Sequence, residues 1–97
     1  MSEKEIEMMM RKEIGQQEGK FLKLVSPGND GVPDRIAIFP GGEIWFVELK
    51  TKDGHVKPIQ TKWQNILSRL GCRARIIKGE DQAREWLDKH REWFYGV

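Results

Sequence analysis

Asp34, Glu48 and Lys50 are the residues of this chain whose types and spacing could do chemistry together. Asp34 opens the apolar run Arg35 to Phe39, and Glu48 lies near the end of the run Ile44 to Leu49, with Pro40-Gly41-Gly42 between the runs. Two such runs around a Gly pair predict a β-hairpin. With Pro40 to Gly42 as the loop and Phe39 facing Glu43, Asp34 falls directly opposite Glu48. Side chains repeat every second residue along a strand, so Lys50 shares their face. Opposed like charges destabilise such a pair unless something positive lies between them, and a divalent cation is the simplest such object. A slip of one residue would send Asp34 to the other face. No CxxC or HExxH pattern points to zinc. Two carboxylates suit Mg²⁺, which binds a few carboxylate oxygens and keeps several waters. A cation there would polarise a phosphoryl oxygen and lower the pKa of a bound water. Lys50 would orient or deprotonate that water, or neutralise charge developing on phosphorus.

Three helices and two further strands must hold this hairpin. Glu3 to Ile14 has good helix formers, with Ile6, Met9, Met10 and Ile14 at helical spacing, and Gly15 and Gly19 are expected to bracket its end and the turn that follows. Glu7 falls on the border of that apolar stripe. A solvated helix residue is its plainer reading, and a site carboxylate the sharper one. Glu3 lies on a similar face, at the helix end. Lys20 to Ser26 is expected as a strand with apolar side chains on both faces, and Lys23 within it marks an edge or a cleft. Pro27 to Gly31 is a turn-forming loop whose glycines would let the backbone approach a ligand closely. His55, in the polar loop after the hairpin, has no partner at ligand spacing.

Pro58 opens a second helix, where its missing N–H costs nothing. Ile59, Trp63, Ile66, Leu67 and Leu70 form its expected core stripe, and Gly71 stops it. Gln60 sits one position off that stripe, in the first turn. Cys72 to Lys78 is expected as a strand parallel to the hairpin's second strand. A last helix, Glu80 to Phe94, would bury Ala83, Trp86, Leu87, His90 and Phe94. The order is α-β-β-β-α-β-α, an α/β fold with a four-stranded mixed sheet flanked by helices.

At 97 residues the sequence predicts one domain over residues 1–97 with a single small core. Charged residues at 33% against 38% hydrophobic suit a soluble globular chain. A single cysteine excludes an internal disulfide and favours a reducing compartment, hence the cytoplasm. No apolar run approaches the roughly 20 residues needed to span a bilayer, and no signal-peptide core is present. The net charge of +2 is modest. However, Lys20, Lys23, Lys52, Lys57, Lys62, Arg69, Arg73 and Arg75 make the middle of the chain more positive than the terminal helices, as phosphate contact requires. Met8, Trp45, Trp93 and Tyr95 need more cover than so small a chain supplies, which favours a homodimer.

The matching runs Lys23 to Gly28, Gly31-Val32-Pro33-Asp34-Arg35, Gly41-Gly42, Phe46-Val47-Glu48-Leu49-Lys50 and Pro58-Ile59-Gln60 resemble the PD-(D/E)XK nucleases. Within that superfamily the chain is similar to the stand-alone VRR-NUC domains, over nearly its whole length. The resemblance implies a restriction-endonuclease-like core and an endonuclease that hydrolyses DNA phosphodiesters with Mg²⁺ or Mn²⁺. It implies metal ligands at Asp34, Glu48 and the Leu49 backbone carbonyl, with Glu7 from the first helix and Glu3 in reserve. Lys50 would be the catalytic lysine and Gln60 would line the site, while Lys23, Arg35, Lys52 and Lys57 are candidate DNA contacts. Dimers acting on branched DNA such as four-way junctions are a further implication. Two other readings compete: an inert DNA-binding or assembly module with the same fold, and a sequence-specific restriction-type enzyme. The chain has no insertion for reading bases, which disfavours the latter.

Overall fold

The computed structural model describes the backbone of residues 1–95 and the side chains of residues 1–90. Helix α1 spans Glu3–Gln16, strands β1, β2 and β3 span Lys20–Lys23, Arg35–Phe39 and Glu43–Lys50, helix α2 spans Pro58–Arg69, strand β4 spans Arg73–Lys78, and helix α3 spans Gly79–Tyr95. The strands form one sheet in the order β1-β2-β3-β4. β2 runs antiparallel to both β1 and β3, and β4 is parallel to β3.

The hairpin has the expected register. Phe39 pairs with Glu43 and Arg35 with Val47 across the three-residue loop. Gly41 and Gly42 take φ of +91° and +85°, the left-handed region that a side chain resists. The Gly42 N–H closes the turn on the Phe39 carbonyl at 3.1 Å.

α1 starts on a capping box: Ser2 Oγ accepts from the Glu5 N–H, and Glu5 Oε1 accepts from the Ser2 N–H. It runs through Gly15, beyond its expected end, and the chain reverses at Glu18, which holds φ of +64°. The N–H of Gly19 still reaches the Ile14 carbonyl, so the last turn is satisfied without a glycine stop. β1 is shorter than expected. Only one further bond, from Leu24 N–H to the Asp34 carbonyl at 2.9 Å, continues its pairing. Val25 then points into solvent and Pro27 has no N–H to donate. β1 is the sheet's edge, so the lysine within it, Lys23, lies on an edge strand, where charge discourages pairing with other chains.

Odd-numbered residues of β2 and β3 bury one face. Ala37, Phe39, Val47 and Leu49 join Phe21 and Ile77 against Ile6, Met10 and Ile14 of α1 and Ala83, Trp86 and Leu87 of α3. α2 packs along β4, apart from this cluster. Its expected stripe is only partly buried: Leu67 is covered, Trp63 and Ile66 are half-buried, and Ile59 and Leu70 are exposed. One helix lying along an edge strand cannot shield five apolar side chains as two helices do on the other face. Met8 is exposed and Trp45 half-buried, while the side chains of Trp93, Phe94 and Tyr95 lie outside the described residues. Among the described residues no helix is long and apolar enough to cross a membrane.

Candidate active site

Asp34 is the residue immediately before β2, and one step beyond the Arg35–Val47 pair it faces Glu48. Its side chain leans onto β3: Oδ1 accepts the Leu49 N–H at 3.2 Å. Oδ2 lies 3.0 Å from Arg35 Nη1, which also donates to the Asp34 carbonyl at 3.2 Å. The loop leading to Asp34 is pinned from α2. Trp63 Nε1–H donates to the Asp30 carbonyl at 2.9 Å. Gly31 (φ +87°) lies so close to α2 that an added Cβ would meet the side chain and carbonyl of Ile59 at 2.7–2.9 Å. Glycine in this loop therefore serves contact with a helix, where the sequence suggested contact with a ligand. Gly31→Ala combines left-handed strain with a clash, and about 2 kcal/mol or more should be lost. A urea melt measures this, and activity per folded molecule should fall with it as Asp34 shifts.

Glu48 is 4% exposed. Burial first, and then the negative charge of Asp34, raise its pKa from the ordinary 4.5 to about 7. Lys50 acts in the opposite direction, with its Nζ 3.9 Å from Glu48 Oε2. Glu3, exposed on the first turn of α1, adds to the rise, and Arg35 opposes it. The sheet therefore holds a dehydrated carboxylate beside a second one, with an amine at its shoulder. In that setting Glu48 resists ionisation, and a cation placed against it would favour its charged form.

Glu7 is buried, not solvated. Its Oε1 accepts from Arg11 Nη2 at 2.6 Å, and Arg35 Nε lies 4.0 Å away. Arg35 is itself 8% exposed. With its guanidinium set between Asp34 and Glu7, it acts as an internal tether and offers little surface to phosphate. Gln60 Oε1 accepts the Lys57 N–H at 2.9 Å and so caps α2. Lys23, Lys52, Lys57 and His55 are exposed.

No three His, Cys, Asp or Glu side chains converge to hold an ion among the described residues. The available donor set is the two carboxylates of Asp34 and Glu48, supplemented by backbone oxygen and water. That set fits a hard cation that retains much of its hydration, and it does not fit zinc.

Sequence reasoning missed two arrangements. One is the tether Arg35–Glu7–Arg11, of which the sequence showed only Glu7 and Arg11 at helical i,i+4 spacing. The other is a Glu43–His90 contact of 3.0 Å between residues 47 positions apart, for which the sequence carries no signal.

No family model matches the sequence. The chain is 35% identical over 79 residues to "Putative nuclease p44" of Acyrthosiphon pisum secondary endosymbiont phage 1, covering 81% of this chain and 85% of that protein. Its fold is similar to a solved structure described as "VRR_NUC domain", with a TM-score of 0.78 and 22% identity, covering 91% of this chain and 97% of the other.

Proposed function

The chain belongs to the VRR-NUC family, with the α-β-β-β-α-β-α core of the PD-(D/E)XK type, and on that premise we propose that it is a divalent-metal-dependent DNA endonuclease. The observation that carries the reading is the buried Glu48 carboxylate, raised to about 7 beside Asp34 and within 3.9 Å of Lys50. Lys50 and Arg35 offset this pairing only in part, since Glu48 stays raised beside them, and a bound Mg²⁺ or Mn²⁺ would compensate the rest.

In this proposal Asp34, Glu48 and the Leu49 carbonyl hold the ion, with water completing its shell. From α1, Glu3 is the carboxylate whose charge bears on Glu48, while Glu7 stays with Arg11 and Arg35. When bound, the ion supplies Lewis-acid stabilisation of a phosphoryl oxygen and acidifies a water. Lys50 places its ammonium beside the reacting phosphate and offsets charge on it. Arg35 fixes Oδ2 of Asp34, and the Leu49 N–H fixes Oδ1, so that carboxylate meets the ion already oriented. Gln60 orders the first turn of α2, on which the Asp34 loop rests. Lys23, Lys52 and Lys57 contribute phosphate contacts from the surface.

Branched DNA is the proposed substrate, and a homodimer the proposed assembly. The partly exposed Leu22, Ile44 and Ile59 support the second part. A symmetric dimer would present two sites related by a twofold axis, as incision of both strands of a symmetric junction requires. The test uses labelled four-way, flapped and plain duplex DNA in Mg²⁺, Mn²⁺ or EDTA, with light scattering for mass. Cleavage should require the metal, favour the branched forms and fall by about 10²–10³-fold in Asp34→Ala. Activity that survives EDTA would overturn the metal mechanism, and metal-independent binding without turnover would assign the chain to the inert DNA-binding reading.

A further inference from the structure

Glu43 and Trp45 lie on β3 but face away from Glu48. Strands rise about 3.3 Å per residue, so Trp45 stands about 10 Å along the strand from Glu48 and on the sheet's other surface. β4 sets Arg73 beside Trp45 and Arg75 beside Val47. α3 adds Trp86 and His90, and these residues with Lys89 line a cavity of about 390 Å³. The Trp45 and Trp86 rings meet at 86° with centroids 5.7 Å apart, forming an aromatic corner.

Two buried polar atoms in this corner make no hydrogen bond. Glu43 is 8% exposed, and its Oε2 accepts from Trp45 Nε1–H at 2.9 Å and lies 3.0 Å from His90 Nε2. Its Oε1 has no hydrogen bond, and Arg73 Nε lies 3.8 Å away. Trp86 is 2% exposed, and its Nε1–H has no acceptor. Unpaired buried groups are costly, and these two lie beneath the cavity wall, closed even to a water molecule, so an occupant meets the ring and guanidinium surfaces above them. The half-buried Trp45 indole and the guanidiniums of Arg73 and Arg75 are the surfaces an occupant meets, so it must be flat enough to lie against an indole and be joined to an anion.

We propose that this cavity binds an unpaired nucleobase of a single-stranded DNA segment, with the adjoining phosphate against Arg73 and Arg75. A nucleobase has a π-face for the Trp45 indole and is joined to a phosphate for the two arginines. Stacking on aromatic side chains with cations along the backbone is how single strands are held without sequence preference. The inference rests on DNA being the substrate and makes the chain a reader of unpaired strand at a branch. One face of the sheet would take the base, and the other the scissile phosphate.

The test is an abasic scan. A fluorescent flapped duplex carries a single abasic nucleotide at successive positions of its single-stranded arm, and binding is measured in EDTA with wild type, Trp45→Leu and Arg75→Gln. In wild type one position should weaken binding about tenfold, with its neighbours nearly silent. Trp45→Leu should bind the intact arm about tenfold more weakly and show no such position. Arg75→Gln should weaken binding to every arm and keep the position. Because the base is removed from the DNA, the wild-type scan does not depend on a variant folding. A flat wild-type scan, or the same sensitive position in Trp45→Leu, overturns the inference. A failure of metal-dependent cleavage would leave this scan untouched and would refute the nuclease reading alone.

Discussion

Glu48→Gln is expected to abolish cleavage and, in EDTA at pH 8, to make the protein more stable than wild type. The activity loss should reach about 10²–10³-fold or more, since the neutral amide neither balances an ion's charge nor holds it. The stability gain follows from the carboxyl's pKa, raised by burial and by Asp34 from 4.5 to about 7. Between those values the folded protein holds a proton that the unfolded chain has released. The unfolded state then binds fewer protons, and stability falls as pH rises through this window, levelling off above it. The ceiling of that fall is about 3 kcal/mol, and about 1–2 kcal/mol is the expectation once water at the mouth of the site screens the charges. For a domain of this size that corresponds to a melting-temperature gain of roughly 5–15 °C for the variant. Urea melts at pH 5, 6, 7 and 8 should show wild type declining across the window and Glu48→Gln nearly flat. Added Mg²⁺ should reverse the order at pH 8 by stabilising wild type alone. Parallel pH profiles for the two proteins would mean that Glu48 is not held in a dehydrated acidic pair.

Arg35→Met should have the largest effect on the fold. Arg35 is 8% exposed, and its guanidinium lies between Asp34 Oδ2 at 3.0 Å and Glu7 Oε1 at 4.0 Å. Methionine keeps the apolar length of the side chain and leaves Glu7, also buried, with Arg11 as its remaining partner among the described residues. Removing one member of a buried charge pair costs about 3–5 kcal/mol, most of it from the carboxylate left behind. Adding Glu7→Gln to that variant should therefore recover at least about 1 kcal/mol in a urea melt. An additive loss in the double variant would contradict the tether. The same substitution frees Asp34 to rotate, so cleavage per folded molecule should also fall. This is a positioning effect, and saturating metal should not rescue it.

The network around Glu7 and Arg35 separates what was legible in the sequence from what was not. The element order and the hairpin register were legible from local chemistry, namely Gly pairs that accept positive φ, Pro58 at a helix start and two-residue alternation along strands, and the parallel pairing of β3 with β4 from the crossover through α2. Once Phe39 faces Glu43, the placement of Asp34 across from Glu48 is arithmetic. The ends of α1 and β1 moved by a few residues, because Glu18 accepted the left-handed turn that Gly15 had suggested, and because Val25 found nothing to cover it.

By itself, then, the sequence determined the hairpin and the facing of residues 34, 48 and 50, since short-range turn geometry fixes them whichever helix covers the sheet. Only the tertiary structure decided that Glu7 is buried, that Arg35 faces inward, that α2 covers half of its apolar stripe, and that Glu43 meets His90. Those outcomes depend on which helix lies over which strand. A one-dimensional pattern gives the width of an apolar stripe, but not whether a neighbour exists to cover it or which distant charge will stand at its border.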